Sequence, residues 1–182
     1  MGLDQYLTAE VYVGAKWVNV KTKSIVVSKR YKAEFRDGEK DDFKEVNKFP
    51  TSNISSINYD VGYWRKVNWI HKWFVDNVQG GNDDCGNYEV SSELLDELYS
   101  ICETILKKFD GVKNDKDKLE LIDYINDKLP PQSGFFFGST ELKDDVELDY
   151  YRESLYDTMK FIRIAKKYIE KFGADIYYQS SW

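Results

Sequence analysis

The chain has 182 residues, of which 42% are hydrophobic and 32% charged, enough for one sizeable core and too little for two; this points to a single domain over 1–182 and excludes a wholly disordered chain. A formal net charge of −6 and a pI near 5.0 exclude a general nucleic-acid binder, because phosphate contacts rest on clustered Lys and Arg. No apolar run reaches the roughly eighteen residues a membrane span needs.

The aromatic share is high. Fourteen Tyr, ten Phe and five Trp make up 16% of the chain, and Tyr and Trp join an apolar body to a polar tip, which favours recognition. The opening Met1-Gly2-Leu3-Asp4 carries an acid and lacks the basic-then-apolar order of a signal peptide, so the expected compartment is the cytoplasm. Cys85 and Cys102 are then expected as reduced thiols, and two cysteines with one histidine do not fill a four-ligand zinc site; neither a metal nor another cofactor is implied.

In chain order, Leu7 to Val13, Trp17 to Val20 and Ser24 to Phe35 read as strands from their β-branched and aromatic residues. The basic cluster Lys21, Lys23, Lys29, Arg30 and Lys32 is followed by as many acids and reads as a solvated hairpin. Residues 36–52, with Asp37-Gly38 and mixed charges, read as a long mobile loop. Asn53 to Tyr59 is a further short strand. A helix is expected over 64–78, where Trp64, Val67, His71, Phe74 and Val78 share one stripe with Asn68 and Val75 on its margin. Trp69 and Trp73 lie on its opposite face, so it should be covered on two sides.

Asn82 to Asn87 lacks the ligand spacing of a calcium loop and reads as a polar turn. A helix capped by Ser91 or Ser92 follows, with Leu94, Leu95, Leu98, Cys102, Ile105, Leu106 and Phe109 on its inner stripe. Lys116 to Leu129 is a shorter helix stopped by Pro130-Pro131. Residues 132–140 read as an apolar strand between Gly134 and Gly138, Val146 to Phe172 as the longest helix, and Ala174 to Trp182 as a final ordered strand segment. Strands and helices without a βαβ rhythm predict an α+β domain, a mostly antiparallel sheet covered by three to four helices.

Four blocks carry a resemblance: Met1-Gly2-Leu3-Asp4-Gln5-Tyr6-Leu7; Gly62-Tyr63-Trp64-Arg65-Lys66 with Asn68, Ile70, His71, Trp73 and Phe74; Gln132-Ser133-Gly134-Phe135-Phe136-Phe137-Gly138; and Tyr177-Tyr178-Gln179-Ser180-Ser181-Trp182. Together they resemble an uncharacterised protein family of tailed bacteriophages and prophages. The resemblance implies a phage accessory protein made in the bacterial host cytoplasm, and it carries no activity with it.

His71, the only histidine, is a polar ring on an inward stripe and must find a partner or a cavity, since an unpaired buried group costs about 1–3 kcal/mol. No nucleophile motif accompanies it. The polar and amphipathic members of the last three blocks, Arg65, Asn68, His71, Gln132, Ser133, Tyr178 and Trp182, are expected to line one ligand site with aromatic walls. Arginine beside stacked aromatics suits a phosphorylated, base-bearing guest. The expected function is therefore capture of a small, nucleotide-like molecule without catalysis, in a counter-defence role. The alternatives are inhibition of a host enzyme or defence factor by protein contact, and an enzyme using His71 as general acid or base.

Overall fold

Alternation builds the first strand: in β1, Asp4–Tyr12, the side chains of Gln5, Leu7, Ala9 and Val11 are buried while their neighbours face outward. The computed structural model describes residues 2–12, 24–26, 48–50, 55–135, 137–142 and 144–182. Strands β2, Ser24–Val26, and β3, Lys48–Pro50, pair antiparallel with Ser24 opposite Pro50. After β4, Ser56–Arg65, come α1, Asn68–Asn77; β5, Asn87–Glu89; α2, Ser92–Phe109; α3, Asp115–Lys128; α4, Asp145–Phe172; and β6, Asp175–Ser181. The chain divides into two compact units, Met1–Val11 with Asn58–Trp182, and Tyr12–Ile57.

The larger unit has the expected α+β architecture, a four-stranded antiparallel sheet in the order β4-β1-β6-β5 with four helices. Its two middle strands come from opposite ends of the sequence. Gln5, Leu7 and Ala9 stand opposite Ser180, Tyr178 and Ile176, and all six side chains are buried on the same face. That face packs on helices. Trp64 Nε1 donates 2.9 Å to Thr158 Oγ1 of α4, and Gly62 leaves room for Phe161, which a Cβ there would meet at 2.9 Å.

Helix ends follow their local chemistry. Ser91, Asn114 and Asp144 each accept a backbone N–H at the start of α2, α3 and α4, satisfying donors that the first turn leaves open. Gly173 ends α4 with φ 60°, a left-handed conformation that glycine adopts without a Cβ clash. Cys102 lies fully buried on α2 with Leu95, Leu98 and Ile105, as its stripe position requires. No helix of the described residues is long and apolar enough to cross a membrane.

Several boundaries differ from expectation. The helix over 64–78 begins only at Asn68, because Tyr63, Trp64 and Arg65 finish β4 and Lys66 turns the chain at φ 58°. Trp64 is buried in either geometry, so periodicity alone did not separate a strand end from a helix start. The described residues of 132–140 form no strand: Phe137 N–H closes a turn on the Gly134 carbonyl, and the carbonyls of Phe137 and Ser139 accept from the Asn68 side chain in place of a ladder partner. Phe135 is 95% exposed while Phe137 is buried. Within the stretch read as a loop over 36–52, Lys48–Pro50 is a strand, and Asn87–Glu89, adjoining the expected polar turn, is another. The expected strand over Trp17–Val20, residues 27–35 of the strand expected over Ser24 to Phe35, the charged residues of the cluster from Lys21 to Asp42 and the remainder of the loop lie outside the described residues.

Candidate functional site

Seven of the ten residues of α1 are buried, and two of its polar side chains organise the interior. The first is Asn68. Its Nδ2 donates 3.1 Å to the Phe137 carbonyl and 2.8 Å to that of Ser139, and its Oδ1 accepts the Gln132 backbone N–H at 3.2 Å. One amide thereby holds both limbs of the loop that follows α3. A buried side chain making three bonds to backbone from residues 64 to 71 positions away is a long-range clamp.

The second is His71, which is fully buried. Its Nε2 lies 3.0 Å from Asp83 Oδ2 and its Nδ1 2.9 Å from the Tyr178 hydroxyl. The hydroxyl is in turn 3.0 Å from Gln5 Oε1, and Gln5 Nε2 donates 3.1 Å to the Val67 carbonyl. Trp182 Nε1 donates 3.1 Å to the other oxygen of Asp83. The chain of groups runs from the half-buried Asp83, through the core, to the backbone at the start of α1. Phe137 meets His71 edge-on at 5.0 Å, and Phe74 stacks on Tyr178 at 3.9 Å, so aromatic rings fill the space around it.

The Val67 carbonyl can only accept, so it turns the Gln5 amide nitrogen toward itself and leaves Oε1 to face Tyr178. Burial pushes the His71 imidazole below its ordinary pKa, against the opposing pull of Asp83. A neutral imidazole with its proton on Nε2, toward Asp83, needs the Tyr178 proton at Nδ1, and Gln5 Oε1 is then one donor short. A protonated imidazole donates from both nitrogens, and Tyr178 turns its proton to Gln5. The hydroxyl of Tyr178 thus follows the charge of His71. Burial also raises the Tyr178 phenol well above its ordinary pKa, so it acts here as a neutral hydroxyl.

A carboxylate, an imidazole and a hydroxyl in series is the order of a nucleophilic triad, but the hydroxyl here belongs to a fully buried tyrosine held by Gln5. That hydroxyl has no solvent access. Cys102 is equally enclosed, and burial raises its thiol far above the range in which a thiolate forms. Among the described residues, no group of three or more His, Cys, Asp or Glu side chains is placed to hold a metal ion.

Of the seven residues expected to share a site, the structure brings together Asn68, His71 and Tyr178 in the filled core, with Trp182 joined to them through Asp83. Gln132 is tied to Asn68 by its backbone, and its own Oε1 is buried without a partner among the described residues. Ser133 is exposed on the loop. Arg65 points to the opposite side of the sheet, where it lies 3.5 Å from Asp4. Sequence reasoning passed over Gln5 and Asp83. Gln5 had a legible signal, a polar residue in phase with Leu7, Ala9 and Val11 on an alternating strand. Asp83 had none, because only the fold carries that turn to His71.

The outer face of the sheet is a second constellation. Tyr6 stands opposite Gln179, which stands opposite Asn87; Thr8 is opposite Tyr177, which is opposite Glu89; and Glu10 is opposite Asp175. Tyr6 and Tyr63 are 37% and 47% exposed with ring centroids 5.5 Å apart, and the Tyr63 hydroxyl donates 2.5 Å to Asp4. Protein-family models, curated proteins and solved structures provide no match to this chain.

Proposed function

We propose that this protein works by binding a protein partner, without catalysis, and that the outer face of the four-stranded sheet is the binding surface. One observation carries the reading: His71, Tyr178 and Cys102 are sealed in the core, whereas Tyr6 and Tyr63 stand exposed on a sheet face. Tyrosine gives large contact area at little cost in side-chain entropy and is enriched where interfaces bind most strongly. The resemblance to phage proteins supports reading this binding as inhibition of a host enzyme or defence factor in a bacterial cell.

Capture of a small, nucleotide-like molecule is the second reading, favoured by one feature. A pocket of about 270 Å³ beside the start of α1 has Trp69, Leu142 and Tyr150 as apolar wall and Lys66, Ser139 and Glu147 at its edge. It shares none of the seven residues expected from the sequence.

Affinity purification of the wild type and of Tyr6→Ala/Tyr63→Ala from bacterial cells making them separates the two. A host polypeptide retained by the wild type and lost from the variant supports partner binding. A small molecule released equally from both proteins on denaturation, with no polypeptide, overturns it in favour of capture.

A further inference from the structure

Resting on the partner reading, we infer that the outer sheet face accepts an arginine-bearing segment of the partner protein. The face is lopsided in charge. Asp4, Glu10, Glu89 and Asp175 point outward from its strands, and the only outward base among the described strand residues of this sheet is Arg65, already beside Asp4.

The register sharpens the point. Glu10 and Asp175 are direct cross-strand partners, and like charges placed opposite one another destabilise a sheet. Neither they nor Glu89 form an ion pair among the described residues. One row further along the face come Tyr177 and Thr8, with Glu89 beside them, and beyond these Gln179 and Tyr6. Carboxylates thus adjoin tyrosine rings in a grid with the strand spacing of about 4.8 Å. A guanidinium fits that grid twice, pairing with carboxylates through its planar fork and stacking on an aromatic ring; an ammonium supplies the charge without the plane.

The test is titration calorimetry with nona-arginine and nona-lysine peptides against the full chain. Because any protein of net charge −6 attracts polycations, two charge-matched variants are compared. Glu10→Gln/Glu89→Gln/Asp175→Asn removes the three carboxylates of the face that form no ion pair among the described residues, and Glu97→Gln/Asp123→Asn/Glu153→Gln removes exposed carboxylates from α2, α3 and α4; each removes three negative charges, from −6 to −3. The expected result is tighter binding of nona-arginine than of nona-lysine by about fivefold or more. Affinity for nona-arginine should fall about tenfold or more in the face variant and in Tyr6→Ala/Tyr63→Ala, and by less than about twofold in the helix variant. The Glu10→Gln substitution alone should raise the urea midpoint by relieving the repulsion with Asp175.

Equal losses in the two charge-matched variants, or equal affinity for the two peptides, overturn the inference and leave only net charge. If nona-arginine does not bind while the tyrosine variant still loses its host polypeptide, the partner reading stands and the arginine assignment falls.

Discussion

Tyr178 on β6 and His71 on α1 are 107 positions apart in sequence and meet at 2.9 Å with no solvent access to either. That contact ties the sheet to the first helix, and the Tyr178 ring stacked on Phe74 of the same helix adds a second tie.

Tyr178→Phe should keep the stack and remove only the hydroxyl. His71 Nδ1 or Gln5 Oε1 is then left buried without its partner, at a cost of about 1–3 kcal/mol in unfolding free energy. Urea denaturation measures it. An unchanged midpoint would show that the hydroxyl contributes nothing to the packing of β6 on α1.

Stability should depend on pH through His71. Burial lowers its pKa in the fold, so between that lowered value and the ordinary value near 6.5 the unfolded chain binds more protons than the folded one. Unfolding free energy is therefore fully retained above about pH 7 and declines as pH falls through about 6.5 toward the lowered value. Asp84 and Asp145, whose carboxyls are held low by the Gly86 N–H and by Lys118 respectively, add their losses only in more acidic solution. Urea midpoints followed from about pH 7.5 to 5.5 should drop for the wild type and stay nearly level for His71→Gln. A wild-type midpoint that rises on acidification would reverse the sign and mean that Asp83 outweighs burial.

Asn68→Ala should free the loop after α3. Three backbone partners, the Gln132 N–H and the carbonyls of Phe137 and Ser139, lose their bonds together, and about 2–4 kcal/mol is the expected loss. Hydrogen exchange should report faster turnover of the Gln132 amide, with the amides of α2 slowed or quickened only as global stability dictates. Protection of Gln132 equal to wild type would mean that the loop is held by Phe137 packing instead.

Much of the secondary structure was legible along the chain because it is local. The inner stripe of α2, the caps at Ser91 and Gly173, and the alternation that makes the Ala174 to Trp182 segment an ordered strand each follow from neighbours within a turn or two. His71 was legible as a buried polar ring needing a partner for the same reason. The bonds it makes were not. Asp83 and Tyr178 reach it, and Gln5 joins through Tyr178, only because β1 and β6 pair in the middle of the sheet and the turn after α1 folds back, events decided by register and packing over most of the chain. Trp64 shows the limit from the other side: an inward position at the junction of strand and helix satisfies both periods, and the left-handed turn at Lys66 decides between them. Whether the interior polar residues enclose a cavity is likewise a property of volumes meeting in space. Here the rings of Phe74, Phe137 and Tyr178 occupy that volume around His71.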